Sequence, residues 1–147
     1  LDRFLMCLSL GYPDAAAERA LLMGEDRRSM LKTLEPAMQP SELGAAQQAL
    51  RQIHTSASLV DYVQALAQAS RRDGLFAEGL SPRAAIALLQ AARAWAALEG
   101  RDHVIPEDVQ AVLVPVCAHR LRPLKSTHGT ALASRDLVLQ LQKSVPV

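Results

Sequence analysis

The sequence predicts an all-α fold, a small helical bundle, and three observations carry that expectation. A helix start is marked at Ser81-Pro82, and from Ala84 to Leu98 the only charge is Arg93. Ser81 is a good N-cap, Pro82 suits the first helical position, and Gly100 stands where such a helix stops. Half of the 147 residues are hydrophobic but only 3% are aromatic, so the apolar content is mostly Ala and Leu. That composition favours helices packed closely through small side chains. The stretches on either side also carry helix caps and helical spacing.

Leu1 to Leu10 is a continuous apolar run with one charged pair near its start, closed by the turn signal Gly11-Tyr12-Pro13. It reads as a short turn or helix at Leu1–Phe4 and an extended segment at Leu5–Leu10. Asp14 caps a helix to about Met23, with Ala16, Ala20 and Leu21 inward and Gly24 as its stop. Glu25 to Pro40 is charged and broken by prolines, and reads as a surface loop. Ser41 starts the next helix, with Leu43, Ala46, Gln47 and Leu50 as a weak inner stripe.

Ile53-His54-Thr55 is an extended link, after which Ser56 or Ser58 caps a helix from about Leu59 to Arg72. Its positions Leu59, Val63, Leu66, Ala67 and Ser70 recur at helical spacing, and two arginines close it at the negative end of the dipole. Asp73 to Gly79 is a connector to the central helix. That helix is apolar nearly all round, so it is expected to be core, and Trp95, on the side of Leu88, Ala91 and Ala92, is expected to be largely buried. Pro106-Glu107-Asp108 opens a further helix carrying Val109, Val112, Leu113, Val116 and Cys117 inward, with a kink or lost bond near Ala111 because of Pro115. Arg122 to Thr130 is a polar connector, and Ser134 caps a last helix through Leu137, Leu139 and Leu141.

A formal net charge of +1 gives no general affinity for nucleic acid or acidic membranes. No apolar run is long enough to span a bilayer, so no membrane insertion is expected. Cys7 and Cys117, both in apolar surroundings, read as reduced core residues of a cytoplasmic protein. The four histidines have no paired metal-ligand spacing, so no metal site is expected. The cluster Arg120, Arg122, Lys125 and His128 lacks interleaved aromatics and reads as a solvated connector rather than a nucleic-acid groove. The chain begins at Leu1 within an apolar pattern and is expected to be a piece of a larger protein.

Arg83 is the odd residue of the central helix. Read alone it is a solvated surface arginine. Yet a cation is disfavoured at the positive end of a helix dipole, and an arginine beside a helix N-terminus can hold a phosphate.

Three ordered motifs stand along the chain. Leu1-Asp2-Arg3-Phe4-Leu5-Met6 with Leu8-Ser9-Leu10-Gly11-Tyr12-Pro13 resembles the end of the ATPase core in the MoxR-type AAA+ ATPase family. Gly79-Leu80-Ser81-Pro82-Arg83-Ala84 is similar to its sensor-2 segment. Trp95-Ala96-Ala97-Leu98-Glu99-Gly100-Arg101-Asp102 and Val104-Ile105-Pro106-Glu107-Asp108-Val109 resemble the helix-turn-helix that follows. The likeness runs from Leu1 to about Leu121 and returns weakly at Ser134–Pro146.

The resemblance implies that residues 1–11 are a short extended remnant of the ATPase core and residues 12–147 the C-terminal helical lid. It implies that Arg83, with Ser81 and Pro82, is the sensor-2 element reaching the ATP phosphates, within its own subunit or across the boundary. It implies that Arg3 is an arginine finger acting in trans on a neighbouring subunit's γ-phosphate. The full-length protein would use ATP with Mg²⁺ in a homo-oligomeric ring, a hexamer in expectation, to remodel or mature client proteins. The phosphate loop and magnesium-holding acids of the family are missing here, so this chain alone is expected to bind no nucleotide and to be inactive. The rival reading is a helical adaptor with no nucleotide role. A DNA-binding helix-turn-helix is disfavoured by the near-neutral charge and an apolar candidate recognition helix.

Overall fold

The cap signals become helix boundaries. In the computed structural model, which describes residues 3–24, 27–72, 74–123 and 131–147 (without the side chains of 27, 28 and 131–133), the helices are α1 (Ala15–Met23), α2 (Arg27–Met30), α3 (Pro40–Gln52), α4 (Ala57–Arg72), α5 (Pro82–Leu98), α6 (Pro106–Cys117) and α7 (Ala131–Ser144). The Asp14 carboxylate accepts the Ala17 N–H at 2.7 Å, Ser56 accepts that of Leu59 at 3.2 Å, and Ser81 that of Ala84 at 3.2 Å. Each is an N-cap bond that satisfies a first-turn donor. Two short strands, β1 (Phe76–Glu78) and β2 (Arg122–Pro123), pair antiparallel.

The chain divides into two compact units, Leu1–Leu8 with Gln48–Val147, and Ser9–Gln47. In the first, α5 and α6 pack most extensively, with α4 and α7 against them. Ala84, Ala87, Ala91, Ala92 and Ala96 of α5 are buried, and their small side chains let the helices approach closely. Around them lie Leu66 of α4, Val109, Leu113 and Val116 of α6, and Val138 and Leu141 of α7, all fully buried. Each such side chain contributes about 1.5–3 kcal/mol through burial. The inner positions expected of α4 and α6 are all buried, and Tyr62 and Asp108 are buried besides them.

In the second unit the expected stripes of α1 and α3 do not correspond to burial. Neither helix has a buried residue among those described, and Leu21 and Leu43 are about half exposed. Within the stretch read as the loop 25–40, α2 and a 3₁₀ turn (Leu31–Thr33) form.

Further expectations are corrected. Trp95 is 40% exposed, because it stands near the C-terminal end of α5, where Leu98 is exposed too and neighbours cover only part of its surface. Ser134 lies inside α7, which starts three residues earlier. Cys7 is exposed, and only Cys117 is a core thiol, which burial pushes up to about 12. The turn expected at Leu1–Phe4 begins on residues outside those described, as do residues 124–130 of the connector and, with them, Lys125 and His128.

The turn from α5 to α6 is held by charge. Asp108, almost fully buried, takes both Arg101 Nη atoms at 2.5 and 2.6 Å and the Ile105 N–H at 2.9 Å. Burial pushes its carboxyl up, but the Arg101 guanidinium and the Ile105 N–H outweigh that and hold it below the usual carboxylate range. Asp108→Ala is expected to cost about 3 kcal/mol, the low end for breaking a buried pair, because Arg101 keeps some solvent contact. The contribution is full above the ordinary Asp range and is lost as pH falls through the lowered folded value. Thermal melts of wild type and Asp108→Asn are therefore expected to differ widely at neutral pH, to begin to approach each other only below about pH 4, and to meet below the lowered folded value.

Candidate functional site

Two helix ends meet where the predicted site lies. The last turn of α4 supplies Ser70 and Arg71, and the segment Gly79-Leu80-Ser81 runs past them into α5. Buried Ser70 donates its hydroxyl hydrogen to the Ala67 carbonyl at 2.7 Å and accepts the Leu80 N–H at 2.9 Å. Arg71 donates from Nε and Nη2 to the Leu80 carbonyl at 2.9 and 2.7 Å. The Leu80 side chain is fully buried. Both polar groups of Leu80 and its side chain are thus engaged. Gly79 fits only as glycine, since a Cβ there would meet the Arg71 main-chain N and Cα at 2.8 Å.

This joint sets the first turn of α5. Pro82 has no N–H, the Ala84 N–H is taken by the Ser81 hydroxyl, and the Ala85 N–H donates to the Ser81 carbonyl at 3.1 Å. Among the described residues, the amides of Ser81 and Arg83 are what remain of the helix end for an outside acceptor. The Arg83 guanidinium is exposed, with no hydrogen bond or ion pair among the described residues. The free helix donors expected to help bind a phosphate thus reduce to those two amides, and the guanidinium is the main donor.

Arg3 is exposed and likewise unengaged among the described residues. The chain beside it is anchored: the Phe4 carbonyl accepts Arg120 Nη2 at 2.6 Å and lies 3.3 Å from His119 Nε2, and the Cys7 N–H donates to the Pro115 carbonyl at 2.8 Å. The strand β1 leads into α5 and β2 leaves α6, so their pairing places the start of α5 and the end of α6 at one end of this helix pair. Arg83 is on the first element and Arg3 is tethered to the second.

At the other end, the His54 N–H donates to the Asp102 carbonyl at 2.8 Å and the Val104 N–H to the His54 carbonyl at 3.0 Å. His54 and His103 therefore serve a backbone bridge, and Arg93 is held by Thr55 at 3.0 Å. No group of three or more His, Cys, Asp or Glu among the described residues is placed to hold a metal. No described helix is long and apolar enough to cross a membrane.

Sequence reasoning names Arg83, Ser81 and Pro82 as candidates and does not name Ser70 and Arg71, which the structure brings beside them. Ser70 was read only as an inner helical position, and Arg71 only as a complement to the α4 dipole.

Residues 68–139 match the AAA lid domain family. Over 139 residues, 82% of this chain, the sequence is 37% identical to Protein MoxR of Paracoccus denitrificans, covering 41% of that protein. It is 34% identical over 131 residues to Chaperone MoxR1 of Mycobacterium tuberculosis, covering 82% of this chain and 34% of the relative. The chain spans less than half the length of these curated relatives. A crystal structure of a candidate ATPase from Cytophaga hutchinsonii superposes with a TM-score of 0.77 at 25% identity, over 99% of this chain and 47% of that one.

Proposed function

The chain belongs to the MoxR-type AAA+ family, with residues 68–139 as its AAA lid domain, and from that premise we propose that it serves ATP binding and hydrolysis through Arg83 and Arg3. The observation that carries this reading is the Arg83 guanidinium, exposed and unengaged on a helix start that is itself clamped to α4. A cation in that first turn gains nothing from the helix dipole, and an anion placed there would relieve it. The Arg83 side chain and the Arg83 amide fit a phosphate. Residues 1–11 belong in this reading to the ATPase core and residues 12–147 to the lid.

In the full-length protein, ATP with Mg²⁺ would supply the reacting phosphate, with the metal held by residues outside this chain. Arg83, with Ser81 capping and Pro82 presetting its turn, orients and neutralises the phosphates, so that lid position follows nucleotide state. Arg3 reaches from one subunit to the nucleotide of the next and stabilises charge developing on the γ-phosphate. That arrangement calls for a homo-oligomeric ring, proposed as a hexamer in the cytoplasm, and the work done is remodelling of client proteins. A relative named as a chaperone supports that last step.

The test is ATP hydrolysis by the full-length protein carrying Arg83→Ala. Lost turnover with an unchanged thermal melt supports the proposal. Turnover and nucleotide affinity both at the wild-type level would return Arg83 to a solvated surface residue.

A further inference from the structure

We propose that Arg71 is a positioning residue for the nucleotide site, acting through Arg83; the inference rests on the reading of Arg83 just given. A carbonyl oxygen has two lone pairs, and Arg71 directs both Nε and Nη2 at that of Leu80. Two N–H groups in the plane of one guanidinium restrict the direction of that carbonyl more than one rotatable ammonium does. The Ser70 hydroxyl fixes the other side of the same residue. Leu80 is followed by the N-cap Ser81 and by Pro82, whose ring sets its own φ. Three virtual bonds, a reach of at most about 11 Å, separate the clamped residue from the Arg83 Cα. Little freedom remains between the end of α4 and the direction in which Arg83 leaves α5.

Gly79 shows that the closeness belongs to the joint and not to the arginine head group alone. Its missing side chain lets the segment lie against Arg71, where a Cβ would meet first the Arg71 Cγ and then the Arg71 main-chain N and Cα at 2.8 Å, which cannot give way. Motion of α4 and motion of the Arg83 turn are thereby one motion.

The experiment is a double-mutant cycle in the full-length protein, reading kcat and KM for ATP hydrolysis in wild type, Arg71→Ala, Arg83→Ala and the double variant. Arg71→Ala is expected to lower kcat about 10- to 100-fold, the scale of a misplaced catalytic group. On the Arg83→Ala background the same change is expected to cost less than about twofold, because the group being positioned is already gone. Arg71→Lys, which keeps the charge and one donor, recovers part of kcat. Gly79→Ala, which forces the segment off the Arg71 stem and backbone without removing the guanidinium, reproduces the kcat loss.

Equal losses on both backgrounds would make Arg71 a general structural residue and overturn the proposal. So would an impaired Arg83→Ala beside an unimpaired Arg71→Ala. A silent Arg83→Ala removes the phosphate reading itself and the positioning claim with it, so the two failures are told apart. If Arg71→Ala lowers the melting temperature markedly, Arg71→Lys and Gly79→Ala are read by the same criterion.

Discussion

Arg3→Ala in the full-length protein is expected to bind ATP as wild type does and to hydrolyse it about 10³–10⁵ times more slowly, the range over which arginine fingers act. The expectation rests on an exposed guanidinium with no partner among the described residues, on a chain held at the next residue by Arg120 and His119. Anchored backbone with an unengaged head group suits a side chain that reaches to another subunit. Mixing separates action across the boundary from action within a subunit. Arg3→Ala subunits combined with subunits disabled in nucleotide binding should regain activity, since some interfaces then join an intact pocket to an intact finger. If Arg3 only pairs with a surface acid, a contact worth under about 1 kcal/mol, hydrolysis stays near wild type.

Arg83→Ala is expected to lower kcat about 10²–10³-fold, the loss seen when one preorganised donor to developing charge is removed. The stability of the lid should hardly change, because Arg83 is exposed and the first turn of α5 is fixed by Ser81, Pro82 and the Leu80 clamp. Arg83→Lys should rescue little, since an ammonium does not reproduce the planar fork that meets two phosphate oxygens. Parallel measurement of kcat, KM and the thermal melt checks all three statements.

Much of the helical unit was legible because its signals are local. Ser81-Pro82, Pro106-Glu107-Asp108 and Ser56 mark helix starts through their own side chains, and α4 and α6 declare their buried faces by spacing. The strands were not legible. Three residues and two residues carry no period, and β1 and β2 exist because their partner is 44 positions away, counting from Glu78 to Arg122. The site was half legible for a similar reason. Arg83 is named by a motif, whereas Arg71 works on the Leu80 carbonyl, and a backbone acceptor leaves no mark in a sequence.

In sequence Asp108 is only part of the start of α6, and its pairing with Arg101 needs the turn to close first. Ser134 was read as a cap because its residue type suits one, yet α7 has already begun at Ala131. Trp95 was misread because helical angle says which side a residue takes, not where along the helix its neighbours run out.

The most direct measurement of whether Arg83 faces a nucleotide is chemical protection. Full-length protein is treated with phenylglyoxal, an arginine-selective dicarbonyl, with and without a non-hydrolysable ATP analogue, and the modification rate at each arginine is followed by peptide mass spectrometry. Nucleotide is predicted to slow the reaction at Arg83 severalfold while exposed Arg72, at the end of α4, reacts at an unchanged rate. Equal reaction at Arg83 with and without bound nucleotide would contradict the account.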